Sequence, residues 1–204
     1  PHNLILQSQT FDNASWTKSQ CSISANAAVA PDGTTTMDKI VEDSAFAPHI
    51  ASDTWANVSG TTYTASCYLK SAERTAAFLK MNGGGAGLNH GLAVDLSAGT
   101  AMTRPTDIAS DPSSITIDDV GGGIYRVSIT QVTTGAATPS FWVGPYNGGG
   151  AVTYSGDGAS GVYVWGAQLE QNPSVSSYVA TTSAAAYGPR KHVVYDGDQY
   201  PDMN

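Results

Sequence analysis

The chain has 204 residues, with nine Lys and Arg against seventeen Asp and Glu and a formal charge of −8. An acidic chain argues against a nucleic-acid surface, which should be basic. No run approaches the 18 apolar residues of a membrane span, so no membrane insertion is expected. A chain of this length buries about 70% of its unfolded surface and needs neither disulfides nor a metal merely to fold. It opens on Pro1 and shows no charged, then apolar leader, so a fragment or processed product is expected.

Only 13% of residues are charged, and fourteen of the seventeen acids are Asp. Ser and Thr number 43 and Gly 22, whereas Leu, Glu, Lys and Arg together number 20. Residues of turns and strands abound and good helix formers are scarce, which is the composition of an all-β protein.

In chain order, the first strand is predicted over Asn3–Gln7. Cys21–Ala25 and Asp38–Glu42 flank the Pro31-Asp32-Gly33 turn. Thr62–Lys70 alternates cleanly, with Tyr63, Ala65, Cys67 and Leu69 on its apolar face. Ala76–Met81 and Gly91–Leu96 follow around a triple-glycine loop. Ser114–Asp118 and Ile124–Gln131 bracket Gly121-Gly122-Gly123 as a hairpin. Ser140–Tyr146 and Gly161–Glu170 are the last two long strands. About ten strands and no amphipathic helix predict a two-sheet antiparallel β-sandwich, or jelly roll, over residues 1–182. Residues 183–204 are expected to form a C-terminal tail or connector. Cys21 and Cys67 both alternate with apolar neighbours and are expected as free, buried thiols.

Gly156-Asp157-Gly158-Ala159-Ser160-Gly161 matches G-x-G-x-x-G but opens a strand rather than a helix, so it is a glycine-rich turn. The sequence has no nucleophile elbow, P-loop lysine, H-E-x-x-H or C-x-x-C. Glu42 and Glu170 are the glutamates on predicted strands. Each is a candidate catalytic acid, with a core-edge carboxylate as the competing role. No catalytic residue is assigned, and the protein is expected not to be an enzyme. Calcium is the one cofactor to consider: Asp32, Asp157 and the Asp196-Gly197-Asp198 pair sit in loop settings that suit a structural ion, although no full calcium-loop pattern is present.

Flat aromatic rings cover the apolar faces of sugars, while polar side chains meet the hydroxyls. Tyr68 and Lys70 on the non-core face of Thr62–Lys70, Arg126 on that of Ile124–Gln131, and Trp142 and Tyr146 on Ser140–Tyr146 together suggest one sheet surface that binds glycans. The competing role puts Trp142 in the core and leaves the cations as ordinary surface.

Several segments occur in a distinctive order. They begin with Asn3-Leu4-Ile5-Leu6-Gln7-Ser8 and Phe11-Asp12-Asn13-Ala14-Ser15-Trp16. Then come Ala30-Pro31-Asp32-Gly33-Thr34, Asp38–Asp43, Tyr63–Lys70 and Gly123–Ser128. The series closes with Val162–Glu170, which ends Trp165-Gly166-Ala167-Gln168-Leu169-Glu170, and with Ser177–Thr182. Together, over about residues 3–182, they resemble the carbohydrate-binding-like jelly-roll module of bacteriophage tail, fibre and other virion proteins. The resemblance implies a β-sandwich similar to carbohydrate-binding modules, displayed on a virion as a homo-oligomer. Its expected partners are other virion subunits and host-surface glycans. Val179-Ala180 stands where such modules usually carry a proline, and beyond Tyr187 only Pro189-Arg190 matches. The primary expectation is a non-enzymatic virion protein that aids adsorption. The alternatives are a purely structural or cementing virion protein, and a carbohydrate-binding module of a polysaccharide-degrading enzyme.

Overall fold

The computed structural model describes residues 2–187. The Asp196-Gly197-Asp198 pair and most of the predicted tail lie outside the described residues. The strands are β1 (His2–Asn3), β2 (Thr17–Ser19), β3 (Cys21–Ala28), β4 (Met37–Glu42), β5 (Phe46–Pro48), β6 (Ile50–Thr54), β7 (Thr62–Ser71) and β8 (Ala76–Gly83). After one 3-10 turn at Gly84–Ala86 come β9 (Leu88–Asp95), β10 (Thr100–Ala101), β11 (Ser114–Gly121), β12 (Ile124–Val132), β13 (Ser140–Tyr146), β14 (Thr153–Ser155), β15 (Gly161–Glu170) and β16 (Ala186–Tyr187).

Two six-stranded antiparallel sheets carry the fold. The first has the order β10-β9-β8-β13-β6-β2 and the second β11-β12-β7-β15-β4-β3, with β1-β16 and β14-β5 as small accessory pairs. This is the expected β-sandwich. Successive side chains on a strand point to opposite faces, so one apolar set per strand faces the other sheet. Tyr63, Ala65, Cys67 and Leu69 on β7, Val127 and Ile129 on β12, Ala77, Leu79 and Met81 on β8, and Phe141 and Val143 on β13 meet in one core. Both cysteines are free: Cys67 is buried and Cys21 half-buried.

The strands absent from the sequence expectation are β2, β5, β6, β10, β14 and β16, each of two to five residues. So short a segment cannot display a period. In β6, Ile50, Ala51 and Ser52 are all buried, so no alternation marks it.

The first strand was expected over Asn3–Gln7 but ends at Asn3. The Asn3 Oδ1 accepts from the Ile5 amide at 3.1 Å, an Asx turn that breaks the ladder, and Gln7 has φ +49°. Residues 4–8 instead run between β15 and the C-terminal segment. The Leu4 amide donates to the Leu169 carbonyl, the Gln7 amide to the Thr182 carbonyl, and the Ala167 amide to the Ser8 carbonyl.

In β15 the positions that face the core between the sheets are Val162 and Val164 before Gly166, but Ala167 and Leu169 after it. The pairing with β7 shifts between Trp165 and Gln168, a β-bulge centred on Gly166 at φ +61°. The bulge puts Gln168 and Glu170 on the outer face. A Cβ on Gly166 would sit 2.9 Å from Tyr68 Cδ2, in a backbone region that costs a non-glycine residue about 1–2 kcal/mol. Gly166→Ala should therefore lower the Tm by about 4 °C or more in thermal unfolding. An unchanged Tm would show that the bulge tolerates a side chain.

Candidate functional site

The five residues expected to form one platform lie on two different faces. Tyr68, Lys70 and Arg126 are on β7 and β12 of the second sheet, while Trp142 and Tyr146 are on β13 of the first. The core-facing partners of both sets point inward between the sheets, so Tyr68 and Trp142 point outward in opposite directions. Alternation correctly gave the inner and outer side of each strand, but not which sheet the strand belongs to.

The outer face of the second sheet is roofed. Thr64, Ser66, Arg126, Ser128 and Thr130, all expected on the non-core side, are buried. The segment that follows β15 covers them. The Glu170 carboxylate accepts from the Ser176 amide at 3.0 Å and from the Ser176 hydroxyl. Gln168 Oε1 accepts from the Val179 amide at 2.7 Å, and Gln168 Nε2 donates to the Ser177 carbonyl at 3.3 Å. Arg126 is 9% exposed; its Nη1 donates to the Ser176 carbonyl at 2.6 Å and its Nη2 to Ser66 Oγ at 3.2 Å. It fastens this roof and is not a surface cation.

Tyr68 packs edge-on against Trp165 and Tyr178, with ring centroids at 5.3 and 5.9 Å, and the Arg126 guanidinium stands 5.3 Å from its ring centre. Burial pushes the Tyr68 phenol above its ordinary pKa. Lys70 sits beyond this cluster, where it lines a shallow hollow of about 290 Å³ with Val29, Ala30, Val120 and Ile124.

The first sheet presents a different outer face. Strand pairing aligns two rows of side chains there: Thr54, Ser140, Asn82 and Asn89 in one, and Thr17, Ser52, Trp142, Lys80 and Gly91 in the next. Trp142 is only partly buried, and its indole donates to Ser140 Oγ at 2.7 Å. The Lys80 ammonium lies over the Trp142 ring, 4.8 Å from its centre. Lys80 is 4% exposed, and burial pushes its pKa down, opposed by the charge of Asp107. The Oδ1 of Asn89 is buried without a hydrogen-bond partner among the described residues.

At the other end of this face Tyr146 is buried with Phe78, Ala93, Ile108 and Val152, and its hydroxyl accepts from the Gly150 amide at 2.9 Å. Tyr146 is thus a core residue of a small outer cluster and not a contact surface. Lys80, Asn82, Asn89 and Ser140 escaped the sequence reading. The signal was a lone lysine in the apolar run Ala76-Ala77-Phe78-Leu79-Lys80-Met81.

The two carboxylates considered for calcium stand at opposite ends of β4 and serve their own turns. Asp32 Oδ1 accepts from the amide and hydroxyl of Thr34 at 2.9 and 2.6 Å. Asp157 Oδ1 accepts from the Ala159 and Ser160 amides at 2.9 and 2.7 Å, and Oδ2 from Ser160 Oγ at 2.6 Å. These donors, the Ser160 hydroxyl first, hold the Asp157 carboxyl well below the usual carboxylate range. Among the described residues no three His, Cys, Asp or Glu side chains come together as a ligand set. Both oxygens of Asp157 and one of Asp32 already answer N–H and O–H donors of their own turns.

Glu42 is buried and anchors a polar cluster. Arg74 Nε donates to it at 3.1 Å and Arg74 Nη2 makes a second, ion-paired contact. The Tyr154 hydroxyl donates to it at 2.6 Å and the Asp157 amide at 3.0 Å. The cluster joins β4 to the segments around Arg74, Tyr154 and Asp157, and every acceptor position of Glu42 is engaged by structure.

No family model matches the chain, and no curated protein sequence matches it. Among solved structures the chain is similar to the CBM22-1 xylan-binding domain from Paenibacillus barcinonensis Xyn10C. The match has 11% identity and a TM-score of 0.42, over 78% of this chain and 89% of that domain. The sandwich architecture rests on the strand pairing of this chain itself.

The Glu42 cluster makes a pH prediction. Burial raises the Glu42 carboxyl, but hydrogen bonds from Arg74, Tyr154 and the Asp157 amide outweigh it and hold the pKa below the ordinary glutamate value. A depressed folded pKa contributes stability above the unfolded pKa, near 4.3, and that stability is lost as pH falls through the folded value. Glu42→Gln should cost about 2 kcal/mol at pH 7, a Tm drop of about 4–8 °C. The gap to the wild type should narrow below pH 4 in melts across pH. A gap as wide at pH 3 as at pH 7 would refute the assigned ionisation.

Proposed function

We propose that this protein is a non-enzymatic structural protein of a bacteriophage particle, a jelly-roll module that aids adsorption to host-surface glycans through the outer face of its first sheet. The observation that carries the binding part is the pair of polar rows around Trp142. A partly exposed aromatic ring stands among Ser52, Thr54, Ser140, Asn82 and Asn89, which supply the hydrogen-bonding groups that sugar hydroxyls require. The phage part is supported by the ordered segments from Asn3-Leu4-Ile5 to Thr181-Thr182 that resemble virion modules. Displayed as a homo-oligomer on a particle surface beside other virion subunits, a weak single site gains by avidity without any new contact.

A purely structural role is the second reading. It is favoured by the hollow beside Lys70, where Val29 and Val120 are 52% and 43% exposed around an apolar floor suited to a neighbouring subunit.

The adsorption reading is tested on the multivalent protein with a glycan array, followed by titration of the strongest ligand. Trp142→Ala should weaken binding at least tenfold, about 1.4 kcal/mol, whereas Lys70→Ala on the opposite sheet should leave it unchanged. Absence of binding at millimolar sugar would remove the glycan role and leave the structural one.

A further inference from the structure

Seven of the chain's Lys and Arg residues fall in the described part. Five have evident partners. Lys18 donates to the carbonyls of Asp12 and Asn13, Lys39 pairs with Glu73, Arg74 with Glu42 and Asp157, Arg104 with Asp111, and Arg126 donates to the Ser176 carbonyl. Lys70 and Lys80 make no hydrogen bond or ion pair among the described residues. For Lys70 this is unremarked, because it is partly in water. Lys80 buries nearly all of its stem, and its ammonium, which still reaches the surface of the site, meets the Trp142 ring but no acceptor among the described residues.

The charges facing Lys80 do not supply that acceptor. Asp107 is the acid whose charge reaches it, yet its two oxygens accept from the Val152 and Thr153 amides at 2.9 Å each and it forms no ion pair with Lys80. Asp53, on the neighbouring β6, pairs with Phe141 on the core-facing side of the sheet and accepts from the Leu6 amide at 3.3 Å. The rest of the two rows consists of hydroxyls, carboxamides and Gly91. Gly91 leaves room for Ile108, whose Cδ1 would stand 2.9 Å from a Cβ there. Lys80 is therefore held between Gly91 and the Trp142 ring with its positive end unmatched.

We propose that the Trp142 site takes an acidic glycan, a sugar bearing a carboxylate or phosphate that Lys80 pairs while Trp142 covers the ring and Asn89 Oδ1 accepts from a hydroxyl. This rests on the glycan-binding reading and narrows it to a ligand class. A neutral sugar offers Lys80 only a hydroxyl dipole. An anion offers a full opposite charge in a site of low dielectric, where charge-assisted hydrogen bonds are about twice as strong as neutral ones.

The test uses matched pairs on an array: uronate, sialylated and phosphorylated glycans, each beside its carboxyl-reduced, desialylated or dephosphorylated counterpart. The best pair is then titrated against the wild type and variants. The wild type should favour the acidic member at least tenfold. Lys80→Met keeps the buried stem and should bring that ratio to within about twofold, while Lys80→Arg should restore the preference. The pairs that respond identify carboxylate or phosphate as the recognised group. Neutral members binding as tightly as acidic ones, or a ratio unchanged in Lys80→Met, would overturn the acidic assignment and leave glycan binding in place. Binding to neither class would overturn the glycan reading itself, and the assignment with it.

Discussion

The closure of the two chain ends on β15 is the constraint on which the rest of the molecule depends. Asn3 is fully buried, and its side chain works in four directions. Nδ2 donates to the carbonyls of Ala167 and Val179 at 2.9 Å each, and Oδ1 accepts from the amides of Ile5 and Leu169 at 3.1 Å. Thr181 continues the closure, donating from its hydroxyl to the Ile5 carbonyl at 2.6 Å, while the hydroxyls of Ser8 and Tyr178 meet at 2.7 Å. Residues more than 160 positions apart thus satisfy one another's buried polar groups. Each such group left unmet would cost about 1–3 kcal/mol. The first and last of the ordered sequence segments are, physically, the two halves of one closure.

That closure decides which face of the sandwich is open. Because the chain turns back after Glu170 to reach Asn3 and Ser8, it must cross the outer face of the second sheet. Gln168 and Glu170, turned outward by the bulge at Gly166, hold it there. Thr64, Ser66, Arg126, Ser128 and Thr130 then become an inner polar layer, and their hydroxyls pair across strands, as Thr64 and Thr130 do at 2.8 Å. The first sheet receives no such roof along the row of Ser140. Its covered part runs from the Tyr146 end, where the loops bearing Ile108 and Val152 fold over, to the row of Trp142, whose indole packs on that cluster and stays partly exposed.

How much of this was legible in the sequence depended on the range of the interaction. The alternation of Tyr63, Ala65, Cys67 and Leu69 shows one face of β7 directly, and Ser140–Tyr146 and Gly161–Glu170 have the bounds that their turn residues suggest. Strict alternation over Gly161–Glu170 hides the change of face at Gly166, since a bulge inserts one residue and inverts everything after it. Arg126 read as surface because alternation assigns two sides to a strand and is silent about a third layer laid over one of them. Tyr68 and Trp142 read as neighbours because pattern gives the side of each strand and not its sheet; that is set by pairings distant in the chain, Tyr68 with Arg126 and Trp165, and Trp142 with Lys80. Lys80 was passed over because a single charge in an apolar strand looks like a break in the pattern.

The composition takes on a sharper meaning in this light. The excess of Asp over Glu is turn chemistry: Asp32, Asp95, Asp119 and Asp157 each accept from an amide two residues ahead, which a longer glutamate side chain does poorly. Most acids committed in this way to their own backbones make no ion pair; Asp157, which also reaches Arg74, is the exception. The glutamates Glu42 and Glu73 pair across the fold with Arg74 and Lys39. A chain with a charge of −8 nevertheless leaves Lys80 without an ion pair among the described residues, so the shortage is one of placement and not of number. An ammonium kept at that position, against a ring and between rows of hydroxyls and carboxamides, makes physical sense when its counter-charge comes from outside the chain.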